Sequence, residues 1–274
     1  MKRFAVIGDP IDHSLSPVLH QEIYRQLGLD ASFEKIHIKT NELHSFMNSN
    51  ELDGFNVTIP HKQSVIPFLD ELDESAQIIG AVNCVHNGIG YNTDWIGFLK
   101  ALELNSVHLN GKNCAIIGAG GAARAIAYAL INSSVNSISI INRTIEKADA
   151  LVHWVKPISN IPINVQSKEY VNTQTREHLI INCTPLGMWP DTEQIPMEMD
   201  LIHENHILVD TIYNPLETQW LKSGTGIGAK VIGGLDMFIA QGLASAEIWF
   251  EDALFSKIDF NHCKSVLRQF LNSY

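Results

Sequence analysis

Short apolar runs alternate along this chain with segments whose apolar residues recur every three or four positions, as strands alternating with helices would. Residues 4–7 are uninterrupted hydrophobics, as in a strand buried on both faces, and stop at Gly8-Asp9-Pro10. After the loop 11–15, Ser16 reads as an N-cap and Pro17 as the first helical residue of a helix that runs to Leu27 and ends at Gly28. Residues 33–38 alternate as a strand, and 41–49 carry a helical pattern. Residues 55–58 form a short strand after the turn Asp53-Gly54, with Asn56 and Thr58 on one face, opposite Phe55 and Val57. The chain breaks at Ile59-Pro60-His61-Lys62, and the spacing predicts a helix from there towards Leu69. Residues 80–86 are strand-like, Asn87-Gly88 is a hairpin turn, and the return strand covers 89–91. A helix follows over 95–104, with Thr93 or Asp94 as its cap.

The second half is organised around one stretch. The apolar run 114–117 enters Gly118-Ala119-Gly120-Gly121-Ala122-Ala123, and an Ala-rich helical pattern continues to Leu130. The glycines fit G-x-G-x-x-A. Gly118 permits the sharp turn, Gly120 lets a pyrophosphate approach the backbone, and Ala123 lets helix and strand pack closely. The phosphate would sit on the unpaired N–H groups of the helix N-terminus. A second strand over 137–141 ends at Asn142-Arg143-Thr144, with Lys147 one turn further on. NAD sites place an acid there for the ribose 2′-hydroxyl. A cation there suits a 2′-phosphate, so the pattern favours NADP. Arg143 and Lys147 are poorly explained as solvated charges, because cations near a helix N-terminus oppose its dipole, and the same holds for Lys62. Further strands are expected over 163–165, 179–183, 207–210 and 229–232. Helices are expected over 144–154, 216–222, 235–250 and 262–271. The alternation predicts parallel sheets with crossover helices and a domain boundary between Asn105 and Asn110.

Composition narrows the partners. The 274 residues are 45% hydrophobic, enough for one large core or two ordinary ones. A net charge of −11 argues against nucleic acid or an anionic membrane, so local cations must hold any anionic ligand. Cys84, Cys114, Cys183 and Cys263 form no C-x-x-C pair and read as reduced thiols of a cytoplasmic protein. The start of the chain reads as a first strand rather than a signal peptide, and no apolar run is long enough to cross a bilayer. The scattered histidines suggest no metal site, and His203 with His206 reads as solvated surface. Ser14 and Ser16 fall at a strand's carboxyl end and a helix start, where open α/β sheets bind ligands. A turn and a cap account for them without a ligand, just as a cap accounts for Asp94.

Taken in order, Ser14-Leu15-Ser16-Pro17, 56–62, Gly80-Ala81-Val82-Asn83, Asn92-Thr93-Asp94, 118–122, Asn142-Arg143-Thr144, 182–188, 210–215 and 234–241 resemble the shikimate dehydrogenase family over nearly the whole chain. The resemblance implies an α/β protein with an N-terminal α/β substrate domain, a Rossmann-type NADP-binding domain and a cleft between them. It assigns residues 1–105 to the substrate domain, completed by C-terminal helices over 236–274, and 106–235 to the NADP domain. It implies an oxidoreductase that reversibly reduces 3-dehydroshikimate to shikimate with NADPH, in aromatic amino-acid biosynthesis. Lys62 would be the general acid/base and Asp94 its partner. Ser14, Ser16, Asn56, Thr58, Asn83, Tyr213 and Gln241 would hold the small-molecule substrate. Gly118, Ala119, Gly120, Gly121, Ala122, Asn142, Arg143, Thr144, Lys147, Thr211 and Gly234 would hold NADP. A cytoplasmic monomer or homodimer is expected.

The residue chemistry agrees. Hydride arriving at a ketone makes an alkoxide, which a positioned lysine can protonate or stabilise. Hydroxyl and amide side chains suit a polyhydroxy acid and reject analogues lacking its hydroxyls. Cys84 and Cys183 replace a threonine and a small residue common in the family, neither at a catalytic position. Two alternatives remain. A quinate/shikimate dehydrogenase with relaxed cofactor choice would favour an acid where Thr144 stands. A non-catalytic NADP-sensing protein would lack Lys62 or Asp94.

Overall fold

The computed structural model describes residues 1–166 and 178–273. In chain order the first elements are β1 (Lys2–Gly8), α1 (Ser16–Leu27), β2 (Ala31–His37), α2 (Leu43–Ser49), β3 (Gly54–Val57), β4 (Glu71–Leu72), α3 (Glu74–Ile79), β5 (Cys84–His86), β6 (Ile89–Tyr91) and α4 (Asp94–Leu104). Then come β7 (Asn113–Ile117), α5 (Gly121–Ile131), β8 (Ser137–Ile141), α6 (Ile145–Val155), β9 (Ile163–Gln166), β10 (Leu179–Asn182), β11 (Ile207–Asp210), α7 (Gln219–Ile227), β12 (Lys230–Ile232), α8 (Leu235–Phe250) and α9 (Phe260–Asn272). Two compact units result, Met1–Gly97 with Ile239–Tyr274, and Phe98–Phe238. The divisions fall inside α4 and α8, so that each of these helices begins in one unit and ends in the other.

The first unit holds a six-stranded sheet of order β2-β1-β3-β5-β6-β4. Strand β1 is parallel to both β2 and β3, so the strand order reverses between β1 and β3. Beyond β3 the sheet is mixed, with the expected hairpin at 87–88 and a parallel β4–β6 pair. Asn87 and Gly88, at φ 50° and 76°, turn β5 back on β6, and β3–β5 and β5–β6 are antiparallel. One face buries Ala5, Ile7, Phe55, Val57, Val65, Val82 and Val85. On the other, Phe4 stacks on Trp249 of α8 at 4.6 Å, and the Trp249 indole N–H donates to the Val85 carbonyl at 3.1 Å. A Cβ on Gly54 would lie 2.6 Å from the Trp249 ring, so only glycine lets the helix come this close.

Several local expectations are corrected. Ser16 is the first residue of α1 rather than its cap, and its N–H donates to Ser14 Oγ at 3.3 Å. The expected helix after Lys62 is a series of turns closed by a single 3₁₀ turn, Ile66–Phe68. Pro67 lacks the N–H a helix would use there, so the helix-like spacing of Val65, Ile66 and Leu69 is not realised. The unexpected α3 has a clear start and stop. Asp73 accepts from the Ser75 and Ala76 N–H groups, and Gly80 closes the helix at φ 69°. Asn92, not Thr93 or Asp94, accepts the first free amide of α4, that of Asp94 at 3.1 Å. Helix α7 starts three residues later than expected and runs on to Ile227, because Thr218 caps it through the Leu221 N–H.

The second unit holds a fully parallel sheet of order β9-β8-β7-β10-β11-β12, with its reversal between β7 and β10. Its central strands β7 and β10 carry near-continuous hydrophobic runs, as strands covered on both faces require. Ala115, Ile117, Ile180, Leu208 and Trp220 anchor one side of its core.

Candidate active site

Open α/β sheets bind ligands where the strand order reverses, beyond the carboxyl ends of the strands. In the first unit that place lies after β1 and β3. Ser14 and Ser16 follow β1, with their hydroxyls 3.2 Å apart. Thr58 follows β3, and its N–H donates to the Ile7 carbonyl. Lys62 lies four residues on, its carbonyl fixed by the Val82 N–H at 2.7 Å.

Lys62 Nζ donates to Asp94 Oδ2 at 2.5 Å. The lysine side chain is 22% exposed and the aspartate 10%, so the pair is nearly enclosed but reachable. Asn83 stands behind it. Its amide nitrogen donates to Asp94 Oδ1 and to Thr93 Oγ1, both at 2.9 Å, and lies 3.4 Å from Gln241 Oε1. Its Oδ1 accepts the Thr93 N–H at 2.7 Å. Asn56 is buried one layer deeper, where its amide nitrogen donates to the Asn83 carbonyl at 3.0 Å and to Ser245 Oγ at 2.9 Å. Lys62, Asp94, Asn83, Gln241 and Asn56 are thus brought into one hydrogen-bonded cluster. The Ser14–Ser16 pair has its own contacts.

Three members of this neighbourhood escape sequence reading. Thr93 looks like a cap, Ser245 is one more small residue in an apolar helix, and His20 is a histidine in the middle of α1. His20 stacks on Phe33 at 4.2 Å and is fully buried. Burial lowers its pKa to about 3, against a smaller opposing effect from Asn56. That contact falls short of a closed hydrogen bond, since neither His20 nitrogen nor Asn56 Oδ1 is paired. Spacing carried no signal for these residues, because their partners lie up to 189 positions away.

In the second unit the glycine turn lies between β7 and α5. Gly118 has φ 114°, and a Cβ there would meet the Cys183 carbonyl group at 3.1 Å and Thr184 at 3.2 Å. It is therefore required by its conformation and by the close approach of the β10 loop. Ala119 leads on to Gly120 and Gly121, where a Cβ would meet nothing within 4 Å. Ala122 and buried Ala123 follow on α5, whose N-terminus no side chain caps. An open space beside uncapped amides is a phosphate-sized cradle. After β8, Asn142 closes its turn through the Thr144 carbonyl at 2.7 Å. Arg143 and Lys147 are exposed and enter no salt bridge among the described residues. These groups fit a dinucleotide carrying a 2′-phosphate.

Deeper at the same sheet edge, Thr211 Oγ1 donates to the Asn182 carbonyl at 2.9 Å. A Cβ on Gly234 would lie 2.4 Å from the Thr211 carbonyl oxygen. Tyr213 packs against Phe238 at 4.5 Å. Asp210 accepts from Asn182, Thr218 and the Ile212 N–H, yet burial pushes its pKa up to about 6.

All four cysteines are free thiols, and burial raises Cys84 to about 12. His206 is buried rather than solvated, and its ring accepts the His203 N–H at 3.1 Å. Among the described residues no cluster of histidine, cysteine or acidic groups is arranged to hold a metal, and no helix is long and apolar enough to cross a membrane.

Comparison with known proteins agrees across the chain. Residues 6–85 match the shikimate dehydrogenase substrate binding domain, and residues 100–185 match the shikimate / quinate 5-dehydrogenase family. A shikimate dehydrogenase (NADP(+)) of Nitrosopumilus maritimus is 40% identical over 256 residues, 90% of this chain and 93% of its own. A crystal structure of a shikimate dehydrogenase in complex with NADP+ superposes with a TM-score of 0.91 at 35% identity, covering 99% of this chain and 96% of that one. The Thermus thermophilus shikimate 5-dehydrogenase, in complex with NADP(H) and shikimate, gives 0.86 at 32% identity, covering 98% and 99%. With matches over both units and near-complete mutual coverage, the chain belongs to the shikimate dehydrogenase family.

Proposed function

We propose that this protein catalyses the reversible, NADP-dependent interconversion of shikimate and 3-dehydroshikimate, with Lys62 as general acid/base and Asp94 as its partner. The observation that carries the reading is the Lys62–Asp94 pair, held by Asn83 beyond the strand reversal of the first unit. An ammonium group carries three N–H donors. One is directed at Asp94, which fixes the head of a flexible side chain and leaves donors for a substrate oxygen. NADPH supplies the hydride in the reductive direction. As negative charge develops on the ketone oxygen, Lys62 stabilises it and then delivers a proton. Reduction thus leaves a neutral amine, which regains its proton from solvent through its exposed part; in the oxidative direction the neutral amine takes the hydroxyl proton and the resulting ammonium returns it to solvent.

Substrate recognition in this reading falls to hydroxyls and amides. Ser14 and Ser16 donate to the carboxylate, while Thr58, Asn83, Gln241 and Tyr213 meet the hydroxyls. Asn56 has both amide hydrogens committed within the protein, so its role is to support Asn83. The cradle after β7 holds the pyrophosphate, Thr211 and Gly234 shape the cofactor's surroundings, and Arg143 with Lys147 holds the 2′-phosphate. The reading assigns the enzyme to the cytoplasm, as a monomer or homodimer serving aromatic amino-acid biosynthesis.

The test is a steady-state assay of shikimate and quinate oxidation with NADP and with NAD, followed by nicotinamide absorbance. Shikimate with NADP is expected to give the highest kcat/KM. Preference for quinate, or for NAD, would overturn the substrate or cofactor assignment separately.

A further inference from the structure

The hydrogen bonds behind Asp94 fix the direction of the Asn83 amide. An amide nitrogen can only donate, so Thr93 Oγ1 accepts from Asn83. The single Thr93 hydroxyl hydrogen has the Gln241 carbonyl at 3.0 Å as its nearest acceptor, ahead of Ser245 Oγ at 3.2 Å and Asn83 Oδ1 at 3.3 Å. Ser245 Oγ accepts from Asn56 in the same way, and its own hydrogen points back to the Gln241 carbonyl at 3.0 Å. A flipped Asn83 amide would set its oxygen against the Asp94 carboxylate and its nitrogen against the Thr93 N–H. Thr93 and Ser245 are both fully buried, so no water is at hand to replace a lost partner.

We propose that Thr93 and Ser245 form a buried hydroxyl clasp that holds the Asn83 amide in the one orientation able to position Asp94, and through it Lys62. This rests on the proposed role of the Lys62–Asp94 pair. Neither hydroxyl belongs to the substrate-holding set. Each joins the catalytic neighbourhood to α8, which carries Gln241. Thr93 lies directly before Asp94 and spends its side chain on this link instead of on capping α4. The clasp explains why α8, one turn after Gln241, turns a buried serine towards Asn56 and Thr93.

The test is kinetic. Thr93→Val keeps the shape and removes the hydroxyl, and Thr93→Ser restores it. Misplacement of reacting groups by a fraction of an ångström to an ångström costs on the order of 10–100-fold in rate. Thr93→Val is therefore expected to lower kcat by about that factor, to shift the kcat–pH profile, and to leave the KM for NADP unchanged. Thr93→Ser is expected to stay within about threefold of the parent, the scale of a shape change that keeps the hydrogen bond. Ser245→Ala is expected to lower kcat in the same direction but less, because Thr93 keeps its bond to the Gln241 carbonyl. Adding Thr93→Val to Lys62→Ala should cause no further loss, since both act through one unit. If Lys62→Ala loses turnover while a folded Thr93→Val keeps the parental kcat and pH profile, the clasp is refuted and the catalytic reading stands. If Lys62→Ala keeps its turnover, the catalytic reading fails first. Equal losses in Thr93→Val and Thr93→Ser, with an unshifted pH profile, would mark the residue as packing only and refute the clasp.

Discussion

The two units solve one topological problem with opposite materials. Each has a sheet whose strand order reverses, between β1 and β3 in the first and between β7 and β10 in the second, and each puts its candidate ligand groups beyond that reversal. In the first unit the groups are side chains, wired to one another through Asn83, Thr93, Asn56 and Ser245. In the second they are mainly backbone: a glycine turn, an uncapped helix start, and two exposed cations nearby. Side chains discriminate among small polar molecules, because a buried group left without its partner is costly. Backbone amides grip a phosphate that many ligands share. The first unit is built to choose and the second to hold.

The sharpest way to break this contrast is at the lysine. Lys62→Ala should lower kcat by about 10²–10⁴, the usual worth of a positioned acid–base group, with far less change in the KM for shikimate. Stopped-flow and steady-state kinetics on a variant with a native circular dichroism spectrum read this directly. Equal losses in kcat and in substrate affinity would mean that the side chains hold rather than act.

Acid should separate the units next. His20 is held near pKa 3 in the fold, below its ordinary value, so its contribution is complete above about pH 6.5 and is lost as pH falls towards 3. Asp210 is raised to about 6, so the folded state binds its proton more tightly than the unfolded chain does. Its contribution is complete below the ordinary aspartate pKa and is lost as pH rises through 6. Each effect is worth at most roughly 3 kcal/mol between pH 4 and 6.5, with opposite signs. Melting curves of His20→Phe and Asp210→Asn against the parent, at both ends of that range, should show opposite slopes. Parallel slopes would remove the distinction.

Arg143→Ala should weaken NADP by about 1.5–3 kcal/mol and leave NAD nearly unchanged, because only NADP carries the 2′-phosphate. Fluorescence titration of both cofactors distinguishes this from a general loss of the fold. The smallest expected effect is Ser14→Ala, about 1.5 kcal/mol in shikimate binding, with cofactor affinity untouched. Calorimetric titration is the check, and an unchanged affinity would return Ser14 to its role as a turn residue.

Much of the architecture was legible because it is local. The apolar runs of β7, β8 and β11, the Asn87-Gly88 hairpin and the glycine turn at 118–121 each announce themselves within a few residues. Helix ends were less legible. The cap expected at Ser16 does not form: Ser16 is already the first residue of α1, and its amide donates to Ser14 Oγ two residues earlier. Lys62 was expected on a helix and stands on turns instead, since the apolar spacing that followed was interrupted by Pro67. The network behind Asp94 was the least legible part. Ser245 meets Asn56 and Thr93 only because α8 returns to the first unit, and no local pattern encodes a contact over such separations.

That return has a consequence for how the chain is made. The ribosome releases residues 1–97 well before it reaches Trp249, and residues 98–238 must be synthesised in between. At about 5–20 residues per second, the nascent first sheet waits on the order of ten seconds or more for the indole that fills the space beside Gly54 and Phe4. During that interval the second unit is continuous and can fold as it emerges, while the first exposes an unfilled apolar face. Chaperone demand should therefore fall on the N-terminal strands. A circular permutant that begins at Gly233, ahead of α8, and joins Tyr274 to Met1 would bring the missing helix out first and shorten that exposure.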